Sequence, residues 1–405
     1  MSIIKLDISE LQLGMYVTEI DRPWLESPFL FQGFILDNNE LMGQVSDTCK
    51  YVYVDTEKSS RDVQSVLEQH REHEKPTVSQ GVDMEFMKLA DQFHSARFLY
   101  NKTSNIIKKM MQNISLGETV DTVKTKAMVE DMINVVSRHP STMIWLTYLK
   151  DHDDFTLYHS INVCILTLSF GHWLGLDRSQ LQTLGLGAIL HDIGTMKVPT
   201  NIVQKTSALT TQEYERMQQH PKLGWEALRG KEYITKEVLD IVLHHHERYN
   251  GSGYPDKLVG EDNAYLTRLV ALVDMYETAR SDNHYRKGTS PHEVLKEMYV
   301  TAKENFGPDL VEKFIQCLGI YPIGSLVELE RGDVAVVMSV NQTVKLRPVV
   351  LLVLDMDKKP YEVRKLMNLA NMDWSETNIT TILPPGSYGI NVAKVVVEDF
   401  LPKEH

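Results

Sequence analysis

Cysteine is scarce in this 405-residue chain: Cys49, Cys164 and Cys317 lie far apart, with no CxxC spacing. That excludes a disulfide framework and a thiolate zinc site. Positive charge is short as well. Against 42 Lys and Arg stand 55 Asp and Glu, a formal net charge of −13. Such a balance argues against sequence-independent binding of DNA or RNA, which needs a basic surface to meet phosphates. No apolar run approaches the roughly 18 residues of a membrane span. The longest, "VVLLVL" at 349–354, has the length of a strand. The start, "MSIIKLDISELQLGMYV", lacks a basic segment followed by a long apolar one and does not read as a signal peptide. These absences lead to the expectation of a soluble, reduced, cytoplasmic protein with no membrane partner.

What is present divides by period. A chain of this length predicts two or three domains. Residues 1–60 alternate short apolar runs with turn residues ("MYVTEI", "PFLFQGFIL", "KYVYVDT"), the pattern of a small β-rich domain. Residues 61–82 are charged and polar and read as a linker. From residue 83 to about 320 the apolar spacing becomes helical. Met84, Met87, Met110, Met111, Met128 and Met132 fall on that spacing and fit core or homodimer packing far better than a ligand stripe. From Tyr321 to the end at 405, short β runs return as a small C-terminal unit. The expected fold is mainly α, with a β-rich unit at each end.

The helical region carries the chemistry. His159 lies near the start of an apolar helix, and His191-Asp192 follows the buried-looking run "GAIL". His220 precedes Pro221, while His244, His245 and His246 run into "ERYNGSGYP". Asp274 follows Leu269-Val270-Ala271-Leu272-Val273. Any one of these histidines is more simply a satisfied core or surface residue. A buried carboxylate, however, is costly unless it is paired or metal-bound. Several residues failing the simpler explanation together point to nitrogen and carboxylate ligands, which suit Fe, Mn or Zn.

The motifs also come in a telling order: HS-x-N-V at 159–163, HD-x-G at 191–194, HP-x-x-G at 220–224, HHE-R-x-x-G-S-G-Y-P at 245–255 and D-x-Y at 274–276. Over about residues 150–320 this order resembles the HD-GYP family, a branch of the HD superfamily of metal-dependent phosphohydrolases. "LGMYVTEIDRPWLESPFLFQGFIL" is similar to the uncharacterised domain often found ahead of bacterial HD-GYP domains. The resemblance implies an all-α catalytic domain that hydrolyses cyclic dinucleotides. It implies metal ligands at His159, His191, Asp192, His220, His245, His246 and Asp274, with His191 and Asp192 as the catalytic pair. Three-metal members carry a Glu four residues before the first His. Phe155 stands there in this chain, so two divalent metals are expected, iron or manganese, bridged by Asp192. Metal charge also lets a −13 protein accept a dianionic substrate.

Other positions implied by the resemblance concern the substrate. Gly253, Tyr254 and Pro255 would form a wall of the site, with Gly251 and Gly253 allowing close backbone approach. Thr195 stands where the family has Lys, and Asn283 where it has Arg, while Arg286 is retained as the expected phosphate contact. Lys197 lies two residues from the missing lysine, in a different direction. Two functions stay open: a phosphodiesterase acting on cyclic di-GMP or 3′,3′-cyclic GMP-AMP, and a degenerate sensor that binds such a molecule without cutting it. The complete ligand set favours the enzyme.

Overall fold

Tyr51–Asp55 alternates partly buried and buried residues, with Val52 and Val54 inward, as a strand with one covered face must. The computed structural model describes residues 3–21, 33–56, 58–63, 84–116, 118–149, 155–281, 289–341, 343–371 and 377–401. The chain forms two compact units, Met1–Ser95 and Ala96–His405.

In the first unit, β1 (Ile3–Asp7), β2 (Tyr16–Ile20), β3 (Phe34–Ile35) and β4 (Tyr51–Asp55) form an antiparallel sheet in the order β1-β4-β2-β3. Leu6, Met15, Val17, Leu36, Val52 and Val54 make its core. The sequence pattern led to strands alone here, yet α1 (Asn39–Thr48) intervenes. Asn38 caps it, its side chain accepting from the Leu41 amide at 2.7 Å, and Leu41, Met42 and Val45 turn toward the core. Residues 64–83, most of the expected linker, lie outside the described residues.

The helical part of the second unit is continued from α2 (Met84–Ser115) by α3 (Thr122–Arg138), α4 (Pro140–Leu146), α5 (Phe155–Trp173), α6 (Arg178–Leu190), α7 (Thr211–Met217), α8 (His220–Leu228), α9 (Lys236–His244), α10 (Tyr265–Arg280), α11 (Pro291–Thr301) and α12 (Pro308–Leu318). α5, α6 and α10 are buried on nearly every side, which is where helices apolar all round belong. They form the frame of the site. One glycine lets its pieces close. Gly194 lies against the His220 carbonyl and the Gly224 amide, so any Cβ there would force the HD-x-G turn away from α8.

A five-stranded antiparallel sheet completes this unit: β5 (Leu326–Leu329), β6 (Val334–Ser339), β7 (Val349–Leu354), β8 (Leu366–Asn368) and β9 (Ile379–Leu383), in the order β8-β7-β6-β5-β9. The Trp145 indole N–H on α4 donates to the Met338 carbonyl at 2.9 Å, joining sheet to helices. A last helix, α13 (Val392–Phe400), follows; the sequence pattern led only to strands there. The fold is mainly α with a small sheet in each unit, and among the described residues no helix is long and apolar enough to cross a membrane.

Candidate metal centre

Five segments bring seven side chains together. His159 comes from α5, His191 and Asp192 follow α6, His220 opens α8, His245 and His246 follow α9, and Asp274 sits in α10. Asp192, His220, His245 and His246 form one group of potential ligand atoms, and His159, His191 and Asp192 form a second; the atoms of each lie within 4.8 Å of one another. Asp192 belongs to both. Its Oδ1 lies 3.1 Å from His220 Nε2 and 3.7 Å from His245 Nε2. Its Oδ2 lies 3.4 Å from His191 Nε2 and 3.8 Å from His159 Nε2. Asp274 Oδ1 closes the second group at 3.0 Å from His159 Nε2 and 4.0 Å from His191 Nε2.

The chain fixes which ring nitrogen faces inward. His191, His220 and His245 each donate Nδ1–H to the carbonyl three residues back: Ala188 at 2.7 Å, Met217 at 2.8 Å and Val242 at 2.9 Å. Those carbonyls lie in the last turns of α6, α7 and α9, where intrahelical donors run out. A histidine just past a helix end therefore satisfies the helix and fixes its own tautomer at once. His159 Nδ1 instead faces Glu277 Oε2 at 2.7 Å. All four rings present Nε2 to a common space.

That arrangement fits a cation. His220 and His245 oppose Nε2 to Nε2 at 3.2 Å, and with both Nδ1–H groups already donated, two lone pairs face each other. His191 Nε2 is buried with no hydrogen-bond partner, a costly state that a bound metal relieves. Five nitrogens, two carboxylates and no thiolate suit the harder transition metals. Burial and neighbouring positive charge push His245 and His246 well below the ordinary imidazole value, so both are in the neutral, ligating form. Burial works to raise the Asp192 carboxyl, but His191 and His220 outweigh it and hold it well below the usual carboxylate range.

Two buried carboxylates escaped the sequence reading. Glu277 receives Asn162 Nδ2 at 3.0 Å and the Ser281 hydroxyl at 2.5 Å besides facing His159. Its position three residues after Asp274, on the same face of a buried helix, was the available signal. Glu247 Oε1 accepts from the amides of Asp256 (2.7 Å) and Lys257 (2.9 Å), and Oε2 from that of Leu258 (3.1 Å). It ties the glycine-rich loop to the end of α9. Gly253 lies against the backbone of His246 and Glu247, where no side chain fits. Tyr254, next to Pro255, stacks on His246 with ring centroids 4.8 Å apart.

The remaining expected positions fall elsewhere. The Thr195 hydroxyl donates to the Asp192 carbonyl at 2.7 Å and so is spent on the turn. Lys197 lines a different cavity with Arg216 and Lys222. His244 pairs with Asp256 at 3.0 Å, outside both donor groups. Asn283 and Arg286, and the Phe155 side chain, lie outside the described residues.

An all-α frame with this donor set defines a protein of the HD class, and the comparisons agree. Residues 129–310 match the HD domain family and residues 3–125 match a domain of unknown function, DUF3391. A cyclic di-GMP phosphodiesterase of Pseudomonas aeruginosa is 31% identical over 336 residues, covering 82% of this chain and 81% of that protein. The cyclic di-GMP phosphodiesterase response regulator RpfG of Xanthomonas campestris is 34% identical over 145 residues, 35% of this chain and 38% of its own. The 3′3′-cGAMP-specific phosphodiesterase 2 of Vibrio cholerae is 29% identical over 159 residues, 39% of this chain and 30% of its own. The chain belongs to the HD-GYP family of HD-domain proteins.

Proposed function

We propose that this protein is a metal-dependent phosphodiesterase that opens a guanine-containing cyclic dinucleotide to a linear dinucleotide. The supporting observation is the membership of Asp192 in both donor groups, and the substrate class follows what the relatives are named for. His220, His245 and His246 would hold one metal and His159, His191 and Asp274 the other, with Asp192 shared by both donor groups; iron or manganese would match the donors. When bound, the two cations supply an activated water and neutralise charge developing on the phosphoryl oxygens.

The chain's own groups position these parts. Bonds from Nδ1 hold the rings of His159, His191, His220 and His245 so that no reorientation is needed at reaction. Glu247 fixes the loop that sets Gly253, Tyr254 and Pro255 as a wall of the site. Arg286 contacts a phosphate as a planar fork, and Asn283 discriminates through hydrogen bonds that a wrong base leaves unpaired. Thr195 contributes shape without the charge that relatives of this type place there. A cytoplasmic setting suits the three buried cysteines, which lie far apart in the sequence.

Cyclic di-GMP is the first expected substrate and 3′,3′-cyclic GMP-AMP the second. Metal-loaded protein is assayed for kcat/KM on these two and on cyclic di-AMP. Preference for cyclic di-AMP, binding without cleavage, or no turnover of any of the three would overturn the reading.

A further inference from the structure

A second cavity of about 500 Å³ opens between α4, the start of α11, β5 and the segment that leads from β9 into α13. Its volume is that of an ordinary small-molecule pocket. Apolar groups such as Trp145, Leu326 and Ile382 provide most of its wall, and none of the described residues lining it is acidic. In a chain of net charge −13 that is informative, because carboxylates have been kept away from this hollow.

Two features give it an anion-binding character. Ser290, Pro291 and His292 start α11, and Asn391, Val392 and Ala393 start α13; both sets line the cavity. Two helices of eleven and nine residues thus bring their positive ends to one space; the Ser290 and Asn391 side chains cap the Glu293 and Lys394 amides, which leaves those of His292, Val392 and Ala393 without an acceptor in the helix. Ser325 lines the same cavity, is only 5% exposed, and its buried Oγ has no hydrogen-bond partner. A hydroxyl left in that state is costly, and a ligand oxygen satisfies it.

The geometry points to a binding site, separate from the metal centre, for a small amphipathic organic anion: a carboxylate, sulfonate or phosphate head near Ser325 and the two helix starts, with an apolar body against Trp145 and Leu326. Recognition by head and body together distinguishes this ligand class from a free inorganic ion and from a neutral oil.

Full-length protein is titrated with 8-anilinonaphthalene-1-sulfonate, read by fluorescence, and with N-phenyl-1-naphthylamine, which lacks the sulfonate. The sulfonate probe is expected to saturate one site per chain and to bind about tenfold more tightly than the neutral one. Ala393→Glu places a carboxylate in the cavity at a helix position that favours acidic residues, so the helix is retained while binding weakens about tenfold or more. Ser325→Ala removes the hydroxyl with little change of volume and weakens binding about threefold or more; it carries the test should the first variant fail by circular dichroism. Equal binding of both probes, no saturable binding of the sulfonate, or wild-type affinity in the folded variants would each overturn the assignment.

Discussion

His159 holds its two ring nitrogens against two different carboxylates, Nδ1 at 2.7 Å from Glu277 Oε2 and Nε2 at 3.0 Å from Asp274 Oδ1. Glu277 is a positioning residue: it touches the back of the ring and fixes which nitrogen faces the other donors. Glu277→Gln keeps shape and removes charge. Partners of this kind are worth about 10–100-fold in metal affinity, and a loss in that range is expected for the second donor group, measured by competition with a chelator. A folded variant with unchanged affinity would mean that the ring is held by packing alone.

The shared Asp192 makes the two donor groups unequal under mutation. Metal analysis of protein purified without oxygen should give two ions per chain, one for each group. Asp192→Asn should lose both and with them all turnover. His159→Ala should lose one, because His220, His245, His246 and Asp192 remain. Three tightly held ions, or an Asp192→Asn protein that keeps two, would contradict this division.

How far the site could be read from residues alone depended on sign and direction. Asp274 was legible because a carboxylate after five apolar residues has no cheap buried state. The histidines were legible as ligands only through the order of their motifs, which resembles that of the HD-GYP family. Glu277 and Glu247 were not, since their partners are backbone amides and side chains distant in sequence. Lys197 illustrates the same limit: proximity to the HD pair in sequence says nothing about direction, and a tight turn sends it to another cavity. Among the elements, α1 and α13 were hidden inside β-like composition, and only Asn38 and Asn391 as caps betray their starts.

Glu247 gathers three loop amides on one buried carboxylate. Charge-assisted bonds of this type contribute about 1.5–3 kcal/mol each, although they act on one loop and do not add fully. Glu247→Gln is therefore expected to destabilise the chain by about 2 kcal/mol and to open residues 250–258 to proteolysis while metal content stays at the wild-type level. Loss of metal without new cleavage would place Glu247 in the support of His245 and His246 instead.

The two donor groups should also differ in how protons compete with metal. His245 and His246 are neutral at pH 7 in metal-free protein because burial, first, and the crowding of neighbouring imidazoles, with Arg248 beside His246, hold them low. His159 behaves oppositely: burial pulls it down, but Asp274 and Glu277 outweigh burial and lift it well above 6.5. His191 is raised as well, burial being outweighed chiefly by Asp192. A protonated ring has no lone pair on Nε2, so metal entering the His159–His191 group must displace at least one proton. Affinity there should climb as pH rises through neutrality and beyond, while the His220–His245–His246 group fills with a much shallower slope. Stability of the metal-free protein runs the other way. A folded pKa raised above the unfolded one stabilises fully below the unfolded value and is lost as pH rises through the folded one. The melting-temperature gap between metal-loaded and metal-free protein should therefore widen with pH. Calorimetry in two buffers of different ionisation enthalpy counts the protons. Absence of proton release on filling the second group would show that His159 is already neutral and that burial, not Glu277, decides its state.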